Sequence, residues 1–206
     1  MTDKDKIAFV LGDLIEVFKV IQMEPDTQTT VNILNSGWCG MVATIAGYIL
    51  KEKYGVKDLT VCSHPIHIFL GHEGCYYDTI FPFGYQSDIL ELWGLKEHQL
   101  KTSICSCPVG EEPNKGWWDW EFIALASAMY KRHKVNPPSH FANWIKETED
   151  RTTTPSSLEQ KAGMDERLKV VKFLPATQFK NIKDHPLFFD HLRQQEYLYD
   201  YARIIS

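Results

Sequence analysis

The sequence predicts an α+β fold with an antiparallel sheet, built as one domain over residues 1–206. Three observations carry that prediction. Apolar residues recur at helical spacing near both ends of the chain. A cluster rich in Val, Ile, Tyr and Phe lies between them, "DLTVCS", "IHIFLG" and "CYYDTIF". The order is therefore helices, then strands, then helices, instead of the regular alternation that builds a parallel sheet. With 206 residues, 44% hydrophobic and 13% aromatic, the chain is long enough to bury a sizeable core.

The elements follow in order. Residues 5–22 read as an amphipathic helix, because Ile7, Val10, Leu11, Leu14, Ile15 and Phe18 return every three or four positions. "MEPDTQTT" breaks it. A second helix is expected over 38–53, stopped by Tyr54-Gly55. Strands are expected over 58–63, 66–71 and 75–81, a short helix near 87–95, and a further strand within 98–107. "WWDWEFIALASAMYKRH" reads as a helix anchored by its aromatic start. The core is expected within 30–135. Beyond it, 136–169 carries Pro, Ser, Thr and charge and reads as an exposed connection, mobile around 147–165. "KVVKFLP" is expected as a strand, and 186–205 as a last amphipathic helix.

Composition excludes some functions. Net charge is −5, from 22 Lys+Arg against 27 Asp+Glu, with no long basic run. Nucleic acid and acidic membranes both call for a positive footprint, so neither is expected as a partner. The first twenty residues mix charged and apolar positions, unlike a signal peptide, and no stretch approaches a membrane span. The expected location is cytoplasmic. The five cysteines (39, 62, 75, 105 and 107) are an odd number in such a chain, which argues against a disulfide framework.

One of these cysteines has a distinctive setting. "NSGWCGMVATIAGYIL" puts Cys39 between small residues at the start of the second helix. The positive end of a helix stabilises a thiolate, and a reactive thiol gains from that placement where a packed one does not. The hairpin "HIFLGHEGCYYD" offers partners. With its turn centred on His72-Glu73, Phe69 faces Tyr76, His67 faces Asp78, and Thr79 points away; a three-residue loop would instead put Thr79 opposite His67. A carboxylate beside an imidazole orients the ring and supports its protonated form, which in turn supports a thiolate nearby.

"GWCGMVATIAGYIL" followed by "HIFLGHEGCYYDTIFPFG" resembles the Cys–His–Asp core of papain-like and transglutaminase-like thiol enzymes, and "YYDTIFPFG" is similar to the Asp-bearing strand of arylamine N-acetyltransferases. The resemblance covers roughly residues 32–84. It implies a nucleophile helix packed on an antiparallel sheet, with Cys39 as nucleophile, His67 as general base and acid, and Asp78 as the group that orients it. Papain-like peptidases carry a Gln about six residues before the nucleophile, whereas position 33 here is Ile. Asn32 and Asn35 flank it and either would donate to an oxyanion; otherwise backbone N–H groups at the helix start serve. Trp38 is expected to line the substrate cleft.

Taken together, these features predict a cysteine-dependent hydrolase, a peptidase or amidase working through a thioester, on a peptide or other amide substrate and without a cofactor or metal. Two alternatives stand beside it. One is acyl transfer to an amine. The other is a non-catalytic binding module, or an interaction module held by zinc on Cys105 and Cys107 with Cys62, Cys75 or His64; the C-x-C spacing is poor for that role. His64 is a weaker choice than His67 for the base, and His72 reads as a solvated turn residue.

Overall fold

The computed structural model describes residues 1–24, 26–64, 67–84, 105–110, 120–152 and 155–171. Within them the chain forms six helices and a four-stranded antiparallel sheet: α1 (Asp3–Gln22), α2 (Thr27–Ser36), α3 (Cys39–Tyr54), β1 (Thr60–His64), β2 (His67–His72), β3 (Cys75–Tyr77), β4 (Cys105–Pro108), α4 (Trp120–His133), α5 (Phe141–Arg151) and α6 (Pro155–Val171). The sheet order is β3-β2-β1-β4. The α+β class and the antiparallel sheet match the sequence reading. The expected short helix at 87–95 and the last helix at 186–205 lie outside the described residues.

Helix α1 begins with a capping box: Asp5 N–H donates to Thr2 Oγ1 and Thr2 N–H to an Asp5 carboxylate oxygen. Its apolar stripe, from Ile7 to Ile21, is fully buried, so the core starts at α1 and not at residue 30. Helix α3 lies between α1 and the sheet. Two glycines let it lie close: a Cβ at Gly40 would stand 3.1 Å from the Ile68 side chain, and one at Gly47 would stand 3.0 Å from Val109 and 3.2 Å from Leu70. Ile68 and Leu70 therefore face the helix, while His67, Phe69 and Gly71 take the other face of β2. Helix α4 packs on α1 and α3, and α6 lies across α1 and α4.

Four expectations need correction. Helix α2 was not foreseen; Asp26 caps it by accepting the Thr29 N–H at 2.6 Å, which turns the helix-breaking stretch into a start signal. The connection at 136–169 is largely helical. In α5, Phe141, Trp144 and Thr148 share one buried face on an otherwise polar helix. Residues 169–171, expected as a strand, close α6. The fourth correction concerns the hairpin. Its two turn residues are Glu73 and Gly74, both with positive φ (48° and 74°), as a type I′ turn requires. Leu70 pairs with Tyr77, Gly71 with Tyr76 and His72 with Cys75, two residues out of the expected register. His72 is thus the last strand residue. It is buried; among the described residues neither ring nitrogen has a hydrogen-bond partner, and the nearest carboxylate oxygens, of Asp3 and Glu73, stand 3.8 and 3.9 Å from Nε2.

Candidate active site

A register shift of two leaves every side chain on the face it had, because strand faces recur every second residue. Asp78 is therefore diagonal to His67 instead of directly opposite, and the side chains still meet: His67 Nε2 lies 2.9 Å from Asp78 Oδ2. Both residues are 3% exposed. The carboxylate is fixed on its other side as well. Asp78 Oδ1 accepts the N–H groups of Ile80 and Phe81, each at 2.8 Å. This Asx turn ends β3 at Tyr77, four residues before the expected end at 81.

The imidazole is held from three directions. Phe69 stacks on it, with centroids 5.7 Å apart and planes 26° apart, and Tyr76 braces Phe69 edge-on at 5.0 Å. With Nε2 engaged by Asp78, Nδ1 is left for the sulfur of Cys39, which hydrogen-bonds His67. The sequence contained a signal for the stacking ring, since His67, Phe69 and Gly71 alternate along one face of β2.

Cys39 is the first residue of α3 and is half-buried. The N-cap position is Trp38, with no side-chain cap, and the first intrahelical bond is Val42 N–H to Trp38 C=O at 2.9 Å. The opening N–H groups of α3 thus keep their positive end directed at the thiol. Burial raises the Cys39 thiol, but the hydrogen bond and charge of His67 and the backbone N–H groups of Ile68 and Gly40 outweigh it, so the thiol sits below its ordinary value. His67 shows the complementary shift. Burial alone would lower it, yet the bonds to Asp78 and Cys39 and their charges push it up to about 9. The two shifts run in the directions that favour a thiolate beside an imidazolium.

The remaining site expectations fare differently. Asn35 lines the depression beside Cys39, but its amide is committed: Nδ2 donates to Val31 C=O at 2.9 Å and to Thr79 Oγ1 at 2.5 Å. Val31 C=O can only accept, so the nitrogen must face it, and both amide hydrogens are used. Asn35 is not placed to donate to an oxyanion. Asn32 sits on α2 almost one turn further from Cys39. Trp38 packs edge-on against Phe18 of α1 at 5.1 Å, which anchors the start of α3. The depression is floored by Leu11, Val42, Ala43 and Ile68.

None of the five cysteines forms a disulfide among the described residues. Cys105 and Cys107 pair across from Ser63 and Val61 at the exposed sheet edge. Among the described residues no group of three or more His, Cys, Asp or Glu side chains is placed to hold a metal ion, and no single helix is long and apolar enough to cross a membrane. Comparison of the chain with protein-family models, with curated proteins and with solved structures finds no match to any of them.

Proposed function

We propose that this protein is a cysteine-dependent hydrolase of amide bonds, a peptidase or amidase, with Cys39, His67 and Asp78 as its catalytic residues. One observation supports the reading above the others. Thiol, imidazole and carboxylate form a continuous hydrogen-bonded series, with the thiol at an uncapped helix start.

In this reading the Cys39 thiolate attacks the substrate carbonyl carbon. A C–S bond forms and the carbonyl π pair moves onto oxygen, which N–H groups opening α3 receive. Collapse of that intermediate expels the amine, which takes the proton from His67 Nδ1 and leaves a thioester. Water then attacks the thioester and gives a proton back to His67; C–S cleavage releases the acid and regenerates the thiolate. Asp78 keeps its charge throughout and holds the ring with Nδ1 toward sulfur.

Iodoacetamide alkylation at pH 6, followed by peptide mapping, tests the assignment. Cys105 is exposed and Cys39 only half-exposed, so accessibility alone favours Cys105. Thiolate character favours Cys39. Faster modification of Cys39 is the expected result, and equal or faster modification of Cys105 overturns the nucleophile assignment.

A further inference from the structure

Cys39, His67 and Asp78 come from three separate elements, and two hydrogen bonds join them into an open series. One further bond closes that series. Asn35 lies four residues before Cys39, and Thr79 lies one residue after Asp78. The Asn35 Nδ2–Thr79 Oγ1 bond of 2.5 Å therefore links the segment carrying the nucleophile directly to the turn carrying the carboxylate. The path runs from Cys39 along the chain to Asn35, across to Thr79, along the chain to Asp78, across to His67 and back to Cys39.

We infer that Asn35 and Thr79 are positioning residues, which set the distance between the Asp78 turn and the Cys39 helix start and so maintain the thiolate–imidazolium pair. The inference rests on the reading of Cys39 as the nucleophile. Three features of the structure argue for it. Both partners are buried, Asn35 at 5% exposure and Thr79 at 2%, so water does not compete for the bond. Asn35 is itself held rigidly, because its second amide hydrogen returns to Val31 C=O on the same helix. The connection that the bond reinforces is a sharp corner: α2 and α3 meet at 92°, and the corner residue Gly37 is exposed, with nothing among the described residues within 4 Å of where its Cβ would be. Without the bond, the corner at Gly37 and the Asx turn at Asp78 lose the hydrogen bond that ties one to the other. A hydrogen bond from the imidazole to a displaced carboxylate weakens steeply with distance and angle.

The test reads the pH profile of Cys39 alkylation in the full chain. Thr79→Val removes the acceptor while keeping the shape. The expected result is a profile moved to higher pH and a rate at pH 6 reduced about threefold to tenfold, the span of one net hydrogen bond. Thr79→Ser, which keeps the hydroxyl, should restore the wild-type profile. Asn35→Ala removes the same bond from the other side, so it should give the same shift, and the double variant should add little more. Should one single variant fail to fold, the other still reads the same bond. Thr148→Val serves as a control. It deletes another buried threonine hydroxyl, which donates to Trp144 C=O on α5, and should lower stability without moving the profile. A Thr79→Val profile that superimposes on wild type overturns the inference and leaves the nucleophile assignment standing. If wild-type Cys39 reacts no faster than Cys105, the assignment itself fails, and the two failures are distinct.

Discussion

Replacing Asp78 by Asn changes one charge and almost no volume, and its effect can be worked through from the geometry. The carboxylate lies 2.9 Å from His67 Nε2, and both side chains are almost fully removed from water, so solvent screens the pair little. An adjacent opposite charge moves a titrating group by about 1–3 pKa units, and burial already works against the imidazolium here. Loss of the carboxylate should therefore bring His67 down from about 9 by roughly 1–2 units, equivalent to about 1.4–2.7 kcal/mol. The tautomer changes too. An Asn amide donates to Nε2, which forces the ring proton onto Nδ1, where it faces the sulfur and cannot accept the thiol proton. The sign follows from the pair. A less stable imidazolium makes the thiolate form only at higher pH, so the Cys39 alkylation profile moves alkaline. At pH 6 its rate should fall about tenfold to a hundredfold. The Asn carbonyl still accepts the Ile80 and Phe81 N–H groups, so the turn should hold and near-ultraviolet circular dichroism should remain native. The assay is peptide-mapped alkylation between pH 5 and 9. A folded Asp78→Asn protein whose profile overlays wild type would refute the coupling of carboxylate to thiol.

Two further expectations concern stability. Arg132 donates from Nε and Nη2 to the buried Asp13 carboxylate, at 2.9 and 2.6 Å, and His133 Nε2 lies 3.1 Å from the same group. Arg132→Met takes the guanidinium from that carboxylate and should cost about 3 kcal/mol in urea unfolding, while adding Asp13→Leu should recover most of the loss. Glu73 holds a left-handed conformation that Asn tolerates better, so Glu73→Asn should stabilise the hairpin by about 0.5 kcal/mol and raise the melting temperature by about 1–2 °C.

Helices α1, α3 and α4 could be read from the chain because each carries an apolar stripe broad enough to decide its own period. Helix α2 could not. Its Thr-Gln-Thr-Thr opening is a poor helix former, and it is held by the Asp26 cap and by Asn35, a tertiary contact no local pattern contains. Helices α5 and α6 are polar over most of their surface, so the few buried positions, such as Trp144 and Met164, gave little periodic signal. The hairpin register was missed by two because the turn was centred between its flanking glycines. Gly74 was the informative residue, since it belongs at the second turn position, where φ is positive. The side chains of Cys39, His67 and Asp78 meet nonetheless, because a shift of two preserves strand faces and the His67–Asp78 contact depends on the face more than on the rung. The commitment of the Asn35 amide is illegible for a different reason. A free amide and one with both hydrogens engaged are identical in sequence, and only the position of Thr79 separates them.

The bare start of α3 has a consequence for how this chain can change. A Ser, Thr or Asp at position 38 would satisfy an opening N–H of the helix and add about 1 kcal/mol of stability. It would also occupy a donor that the proposed reaction offers to its oxyanion. Trp38 avoids that competition. It packs edge-on against Phe18 and offers the helix start no side-chain cap. On the proposed reading of Cys39, heat resistance and thiol chemistry therefore make opposite demands on this one residue. Selection for robustness alone would drift toward a cap, and the tryptophan marks a compromise in which part of the fold's available stability stays unrealised.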